Sequence, residues 1–336
     1  MTRSIPLRTF PVLLRLALAL CTLSATAATA ATPSDCAPCH PAQTAAHAQS
    51  GMARALLSPR TPSLRKQLGP WSYEITGSAY SVTDGKETLR LNLPWAFGEG
   101  STGQTFLFQR ESRWYESRVS YFPGIHALDL TLGMEDIKPT TLTEAAGRLI
   151  SPAELTLCFG CHATLHSKTD PTGPNLIPGV QCERCHGDAA QHLATQSPLR
   201  PLGKMTTEEM SDFCGQCHRT WSDISLNGPR GIRNVRFQPY RIATARCYDP
   251  TDARIRCTAC HEPHHTRETS PQAYDAKCAA CHARTALGTT ASRHICKIGT
   301  KNCVTCHMPN LELPGAHKKF SDHRIRIVRA NATYPD

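Results

Sequence analysis

Residues 257–265 read Cys-Thr-Ala-Cys-His-Glu-Pro-His-His, and they hold the pattern on which the whole chain is built. Two cysteines three positions apart are followed directly by a histidine, and two more histidines come close behind. Cys-x-x-Cys-His is the attachment sequence of c-type haem. The two thiols reach the vinyl groups of one porphyrin and form thioethers, and the adjacent histidine then binds the iron as its proximal ligand.

The same pattern occurs seven times, and we number the copies as motifs one to seven. Their cysteines are Cys36 and Cys39, Cys158 and Cys161, Cys182 and Cys185, Cys214 and Cys217, Cys257 and Cys260, Cys278 and Cys281, and Cys303 and Cys306. Their histidines are His40, His162, His186, His218, His261, His282 and His307. One copy alone would also suit half of a zinc site or a redox dithiol. Seven copies predict seven covalently attached c-type haems.

The composition agrees with this prediction. The chain of 336 residues has 17 Cys and 16 His but only 6% aromatic residues. Because so few aromatic side chains are available, we expect the porphyrins themselves to form much of the hydrophobic interior. Cys21, Cys247 and Cys296 lie outside the motifs. Cys247 and Cys296 either form a disulfide in an oxidising compartment or are two unrelated thiols.

Each predicted iron needs a sixth ligand, or else it keeps an open position that can bind a substrate. Nine histidines remain after the proximal ones, which is a surplus over seven irons. A histidine that follows a proximal ligand by a few residues cannot easily bend over the same porphyrin, so we expect it to bind a neighbouring haem. Met52 is either a thioether ligand that would raise the potential of the first haem or a packing residue. The distal candidates are His47, Met52, His166, His192, His264, His294, His317 and His323.

The spacing of the motifs divides the chain. Residues 1–31 have the positive start, apolar stretch and small-residue cleavage site of a secretory signal peptide. Residues 32–60 form a first haem-binding segment, residues 61–150 a haem-free β-rich domain, and residues 151–336 a six-haem domain. No later apolar run reaches the roughly 20 residues that a membrane-spanning helix needs. The sequence therefore predicts an exported protein, either periplasmic or extracellular.

The haem-free stretch alternates apolar and polar residues with a period of two. Residues 71–76, 80–83 and 87–93 follow this pattern, and Asp84-Gly85 supplies a tight turn between two of them. Such segments predict an antiparallel β meander.

The net charge of +10 invites comparison with nucleic-acid-binding proteins. Removal of the signal peptide takes away three arginines, and the ionised propionates of seven haems would offset the remaining excess. We therefore interpret the Lys and Arg residues as solvated groups and propionate partners, and expect no nucleic-acid partner.

Three stretches resemble one family of multihaem proteins. Residues 179–187 with His192, residues 303–309 with their Cys-His-Met-Pro sequence, and the tail at residues 317–327 are similar to the superfamily of hydroxylamine oxidoreductase and its tetrahaem electron-accepting cytochrome. The resemblance implies haems stacked in contact, with His192, His264, His294 and His323 as distal ligands. No Cys-x-x-Cys-Lys motif is present, so the catalytic haem of pentahaem nitrite reductases is not indicated.

The predicted fold is therefore mainly short α-helices and irregular loops packed around stacked haems, with an antiparallel β-meander insertion between motifs one and two. Bis-histidine ligation gives low-spin iron, which suits electron transfer in the periplasm or at the cell surface. The alternative is an oxidoreductase that acts on a small nitrogen or sulfur compound at one open-coordination haem. A third hypothesis is a surface cytochrome whose β domain makes the contacts. We expect partners among redox proteins, other cytochromes or a membrane quinol-oxidising complex, and a homo-oligomer is compatible with the sequence.

Overall fold

The structure is a computed structural model that describes residues 30–167, 170–282, 296, 298–329 and 331–335. Nearly all of the predicted signal peptide, together with Cys21 and the candidate ligand His294, lies outside the described residues. No described helix combines the length and the apolar character that crossing a bilayer would require.

Strands dominate the region between motifs one and two. The described strands are β1 (Leu56–Leu57), β2 (Thr61–Leu68), β3 (Trp71–Gly77), β4 (Ala79–Thr83), β5 (Thr88–Asn92), β6 (Trp95–Phe97), β7 (Thr105–Arg110), β8 (Arg113–Ser117), β9 (Val119–Phe122), β10 (Ala127–Leu130), β11 (Gly147–Leu149), β12 (Ala163–Leu165), β13 (Ile177–Pro178), β14 (Asn310–Leu313) and β15 (Lys318–Ser321). Strands β2 to β5 pair in sequence order as an antiparallel sheet, and a second sheet has the order β1-β6-β7-β8-β11.

The core of this region lies between the two sheets. Alternation along β3 buries Trp71, Tyr73 and Ile75 on one face, as a half-buried strand requires. These side chains cluster with Phe106 and Phe108 from β7. The haem-free region therefore has a conventional apolar core of its own.

Helices dominate the rest of the chain. The described α-helices are α1 (Pro33–Cys36), α2 (Pro41–His47), α3 (Leu142–Ala146), α4 (Pro152–His162), α5 (Cys182–His186), α6 (Ala190–Thr195), α7 (Thr207–His218), α8 (Trp221–Asn227), α9 (Gln238–Ala243), α10 (Cys257–Cys260), α11 (Pro271–His282) and α12 (Cys303–His307). Capping boxes start the two helices that lead into motifs two and four, with Ser151 and Glu154 before α4 and Thr206 and Glu209 before α7. Each box satisfies backbone N–H groups that have no partner within the helix.

The predicted fold class is wrong. Strands make up 23% and helices 33% of the structure, and the β region is a multi-strand domain with more than one sheet. The prediction failed because the second sheet recruits β1 and β11, two very short strands from opposite ends of the region. Strands of two or three residues carry no readable alternation, and their pairing depends on partners that are distant in sequence.

The β core gives a first prediction. Replacing the fully buried Ile75 by Ala should lower the free energy of unfolding by roughly 2–5 kcal/mol, because the substitution leaves a cavity between the sheets. Chemical denaturation followed by circular dichroism measures this loss. The visible haem spectrum of the folded variant should match that of the wild type, since Ile75 lies in the haem-free region. A spectral change at the haems would contradict the conclusion that the core of the haem-free region is separate from the haem-binding motifs.

Candidate haem-binding sites

Each motif is built as one turn of helix or as the end of a longer helix. Motifs two, three, four, six and seven end the helices α4, α5, α7, α11 and α12 at their histidines. In motifs one and five the histidine N–H donates to the carbonyl of the first cysteine, at 2.9 Å in both His40 and His261. Residues three apart in a helical turn lie on the same side. Both thiols of a motif can therefore face one porphyrin.

Cysteines of different motifs lie next to one another. A hydrogen bond with the Cys217 thiol, together with burial, raises the pKa of the Cys161 thiol. A hydrogen bond with the Cys257 thiol, together with burial, raises the pKa of the Cys214 thiol. Motif two therefore adjoins motif four, and motif four adjoins motif five.

Two further thiol pairs join other motifs. Burial and the neighbouring Cys182 thiol raise the pKa of Cys36 to about 11. Burial and the Cys303 thiol raise the pKa of Cys278 to about 12. Motif one therefore adjoins motif three, and motif six adjoins motif seven.

Three proximal histidines each face a second histidine across a gap of nearly constant width. The distances between ring centroids are 6.3, 6.1 and 6.1 Å for the pairs His40–His192, His186–His264 and His261–His323. A metal–imidazole bond is about 2.0–2.1 Å long, so two imidazoles on opposite sides of one metal ion have centroids roughly 6.3 Å apart. The gap between the rings thus fits a single iron in each pair.

The hydrogen bonds of the three distal rings leave the same nitrogen free. Each Nδ1 bonds an oxygen close in sequence, at 2.7, 2.8 and 3.0 Å: His192 with the Ser197 carbonyl, His264 with the Glu262 carboxylate, and His323 with the Ser321 carbonyl. A metal-binding histidine commonly donates its other N–H to a carboxylate or carbonyl, which fixes the tautomer and the ring orientation. Nε2 is therefore the nitrogen that can bind iron.

The histidines of motifs two and seven also form a hydrogen bond through Nδ1, in each case with a backbone carbonyl from another segment of the chain. His162 Nδ1 donates to the Ala55 carbonyl at 2.8 Å, and His307 Nδ1 donates to the Arg326 carbonyl at 2.9 Å. Burial lowers the pKa of His162 and lowers that of His323 to about 4. These rings are therefore neutral near pH 7, which is the protonation state that ligates a metal.

Two of the distal candidates are placed differently. His47 Nε2 bonds the Val180 carbonyl at 2.8 Å, and His317 Nε2 bonds the Asp129 carboxylate at 2.9 Å. In each ring Nε2, the nitrogen that would bind iron, is already engaged. His47 lies 6.4 Å from His264 between centroids, but the two rings meet edge to face. The geometry therefore favours His192, His264 and His323 over these two.

The remaining described candidates are His166 and Met52. His166 Cε1 is 3.8 Å from the position that a Cβ on Gly160 would occupy, so this ring lies against the helix of its own motif. Met52 is half-buried, and its carbonyl accepts the Val180 N–H at 2.9 Å. Outside the motifs, the Cys247 and Cys296 thiols are exposed and are not bonded to each other.

Sequence reasoning missed the residues that orient the ligands. Ala55, Ser197 and Arg326 act through backbone carbonyls, which carry no residue-type signal. Glu262 could have been found, because it stands between two histidines in Cys-His-Glu-Pro-His.

Comparisons with known proteins also match multihaem cytochromes. The family described as cytochrome c554 and c-prime matches residues 131–187, which contain motifs two and three. The multiheme cytochrome MtrA of Shewanella baltica (strain OS185) is 26% identical over 158 residues, 45% of this chain and 40% of that protein. The chain thus spans less than half the length of this relative.

A solved structure shares the fold. The outer cell wall cytochrome OcwA superposes with a TM-score of 0.52 over 88% of this chain and 79% of that chain, at 12% sequence identity. At this identity the similarity concerns the fold alone. In its motifs, in the family match over residues 131–187 and in its similarity to MtrA, the chain resembles multihaem c-type cytochromes.

The paired rings give a second prediction. Replacing His264 by Ala removes the ring that faces His186, so about one seventh of the low-spin ferric haem should become high-spin. Electron paramagnetic resonance of the purified holoprotein measures both fractions. His47→Ala is the matched control, because that ring lies beside His264 but has its Nε2 bonded to Val180. A high-spin signal in His47→Ala and none in His264→Ala would reverse the assignment.

Proposed function

We propose that this chain carries seven covalently attached c-type haems and transfers electrons between redox partners in the periplasm or at the cell surface. The observation that carries the proposal is the assembly of seven Cys-x-x-Cys-His motifs into one set of neighbours, three of them with a second histidine at iron-spanning distance. When bound, haem supplies one-electron chemistry by cycling between ferric and ferrous iron. The residues of this chain anchor the groups, orient their ligands and keep them close together.

The contacts between motifs support a continuous path. His192, which follows motif three, faces the histidine of motif one, and His264, which follows motif five, faces that of motif three. His323, in the tail after motif seven, faces the histidine of motif five. Cysteine contacts join motif six to seven, two to four, and four to five. All seven motifs therefore belong to one network, in which motif five has three neighbours.

The ring pairs support assignments for three irons. We propose His192 as the distal ligand of the iron held by His40, His264 for that held by His186, and His323 for that held by His261. His166, His294 and Met52 remain candidates for the other four irons. In each proposed pair the distal histidine follows one motif and serves another, so each such iron would also cross-link two segments of the chain.

Electron transfer is the function that two-sided ligation supports. A pair of imidazoles around one iron leaves no position for a substrate, and neutral ligands allow the iron to change charge with little rearrangement. The three proposed pairs would therefore be unreactive toward small molecules and suited to passing electrons along the network.

Location and partners remain proposals. The predicted signal peptide supports export, and the similar protein OcwA is by its name an outer cell wall cytochrome. We propose redox proteins as partners, including other cytochromes or a membrane quinol-oxidising complex. The resemblance of residues 179–187 and 303–309 to the hydroxylamine oxidoreductase superfamily also stays a prediction, as does the division into a β-rich domain at 61–150 and a six-haem domain at 151–336.

The proposal predicts the composition and spectrum of the purified protein. Mass spectrometry of the denatured holoprotein should give an excess equal to seven haems, because thioether bonds survive denaturation. Electron paramagnetic resonance of the ferric protein should show mostly low-spin iron.

Two outcomes would contradict the proposal. Pigment that is extracted by acidified acetone would exclude covalent attachment. A large high-spin fraction together with turnover of nitrite or hydroxylamine would instead indicate an enzyme.

A further inference from the structure

We infer that Asp322, held in place by Arg241, is a positioning residue that fixes the axial ligands of two haems at once, those attached at motifs five and seven. This inference rests on the proposed haem ligation and adds a residue to it that binds neither iron. It arises from one buried network at the C-terminal tail.

The centre of the network is a buried ion pair. Arg241 Nε lies 2.9 Å from Asp322 Oδ1, and Arg241 Nη2 lies 3.0 Å from Asp322 Oδ2. Both side chains are 0% exposed. Two parallel bonds between a guanidinium and a carboxylate fix the relative orientation of the groups as well as their distance.

Arg241 is itself held on other sides. Its Nη1 donates to the Asn234 side chain at 3.3 Å and to the Pro335 carbonyl at 2.9 Å. The Tyr334 ring lies 4.6 Å from the guanidinium carbon. These contacts hold the Arg241 guanidinium in one position, and the carboxylate bonded to it is held as well.

The same carboxylate shapes the tail around His323. The Arg324 N–H donates to Asp322 Oδ1 at 3.0 Å, and the Asp322 N–H donates to the Pro309 carbonyl at 3.0 Å. The backbone is thereby pinned on both sides of His323, whose ring lies 6.1 Å from that of His261. Residues 322–329 contain no helix or strand, so no regular ladder of backbone hydrogen bonds holds this conformation.

Asp322 also reaches the proximal ligand of motif seven. Arg326 Nη1 donates to Asp322 Oδ2 at 2.6 Å. The backbone of the same arginine bonds His307 twice: its carbonyl accepts from His307 Nδ1 at 2.9 Å, and its N–H donates to the His307 carbonyl at 3.2 Å. A change at the carboxylate is thus passed through Arg326 to the ring that holds the seventh haem.

Stability alone does not account for this network. A buried ion pair costs desolvation, and a pair of apolar side chains of similar volume often stabilises a protein equally well or better. Apolar side chains, however, could not accept the bonds from the Arg324 N–H and the Arg326 guanidinium. The carboxylate therefore lies where these donors need an acceptor. It is adjacent to the proposed ligand His323, and Arg326 links it to the proposed ligand His307.

The test compares variants of the full-length holoprotein. Asp322→Asn keeps the size of the side chain but loses its charge and one acceptor oxygen. We expect mass spectrometry to find seven haems still attached. We expect electron paramagnetic resonance and spectroelectrochemical titration to show altered low-spin signals and shifted potentials for two haems out of seven.

A double variant separates positioning from stability. Arg241→Met with Asp322→Leu removes the fully buried pair and leaves Arg326, whose side chain is 19% exposed, bonded to the Arg324 carbonyl, so the free energy of unfolding should recover toward that of the wild type. The two altered haem signals should persist, because the carboxylate that accepts from the Arg324 N–H and the Arg326 guanidinium is still absent. If Asp322→Asn cannot be purified, the double variant carries the test alone. Ile75→Ala, which destabilises the β core, is the control and should leave all haem signals unchanged.

Two results would overturn the inference: wild-type signals in a folded Asp322→Asn or double variant, or a change confined to one haem. Failure of the proposed function would look different. It would appear in the wild-type protein itself, as fewer than seven attached haems or as mostly high-spin iron, before any variant is compared.

Discussion

The space between two facing imidazoles is the constraint on which the motif-rich region depends. His40 and His192, like His261 and His323, come from segments far apart in sequence, and their rings are held 6.1–6.3 Å apart. The apolar clusters in this region are small: the one around Val235, Leu313 and Ala316 has three buried members. Since so little buried apolar surface holds these segments, proposed ligation would supply folding free energy as well as function, as metal ligands do in other small-cored domains.

The β region could be predicted from sequence only where alternation runs for several residues. The pattern at residues 71–76 falls on β3, and that at residues 87–93 overlaps β5. The apolar residues of β3 are buried and those of β5 are partly buried against the same core, so each apolar residue marks an inward position. The pairing of β1 with β6 and of β11 with β8 could not be read in this way. Their register is set by neighbours in space, so a domain with several sheets looked in sequence like a single meander.

The candidate sites were predictable in part for a mechanical reason. A histidine a few residues beyond its own motif cannot bend over the same porphyrin. His192 and His264 are therefore expected to bind neighbouring haems, and their ring distances support this expectation. Sequence could not separate these from His47 and His317, because the difference lies in which ring nitrogen is engaged. Val180 and Asp129, which bond those two rings, are far away along the chain.

The hydrogen bonds at Nδ1 also explain how the β region is tied to the haem sites. The Ala55 carbonyl accepts two bonds at 2.8 Å, one from His162 Nδ1 and one from the Gly98 N–H. Ala55 directly precedes β1, which pairs with β6 just before Gly98. One oxygen thus joins the sheet to His162, the proposed proximal ligand of motif two. Movement of this sheet edge would turn the imidazole, so the edge formed by β1 and β6 is part of the frame that orients the proposed ligand, whereas Ile75 lies on β3 in the other sheet.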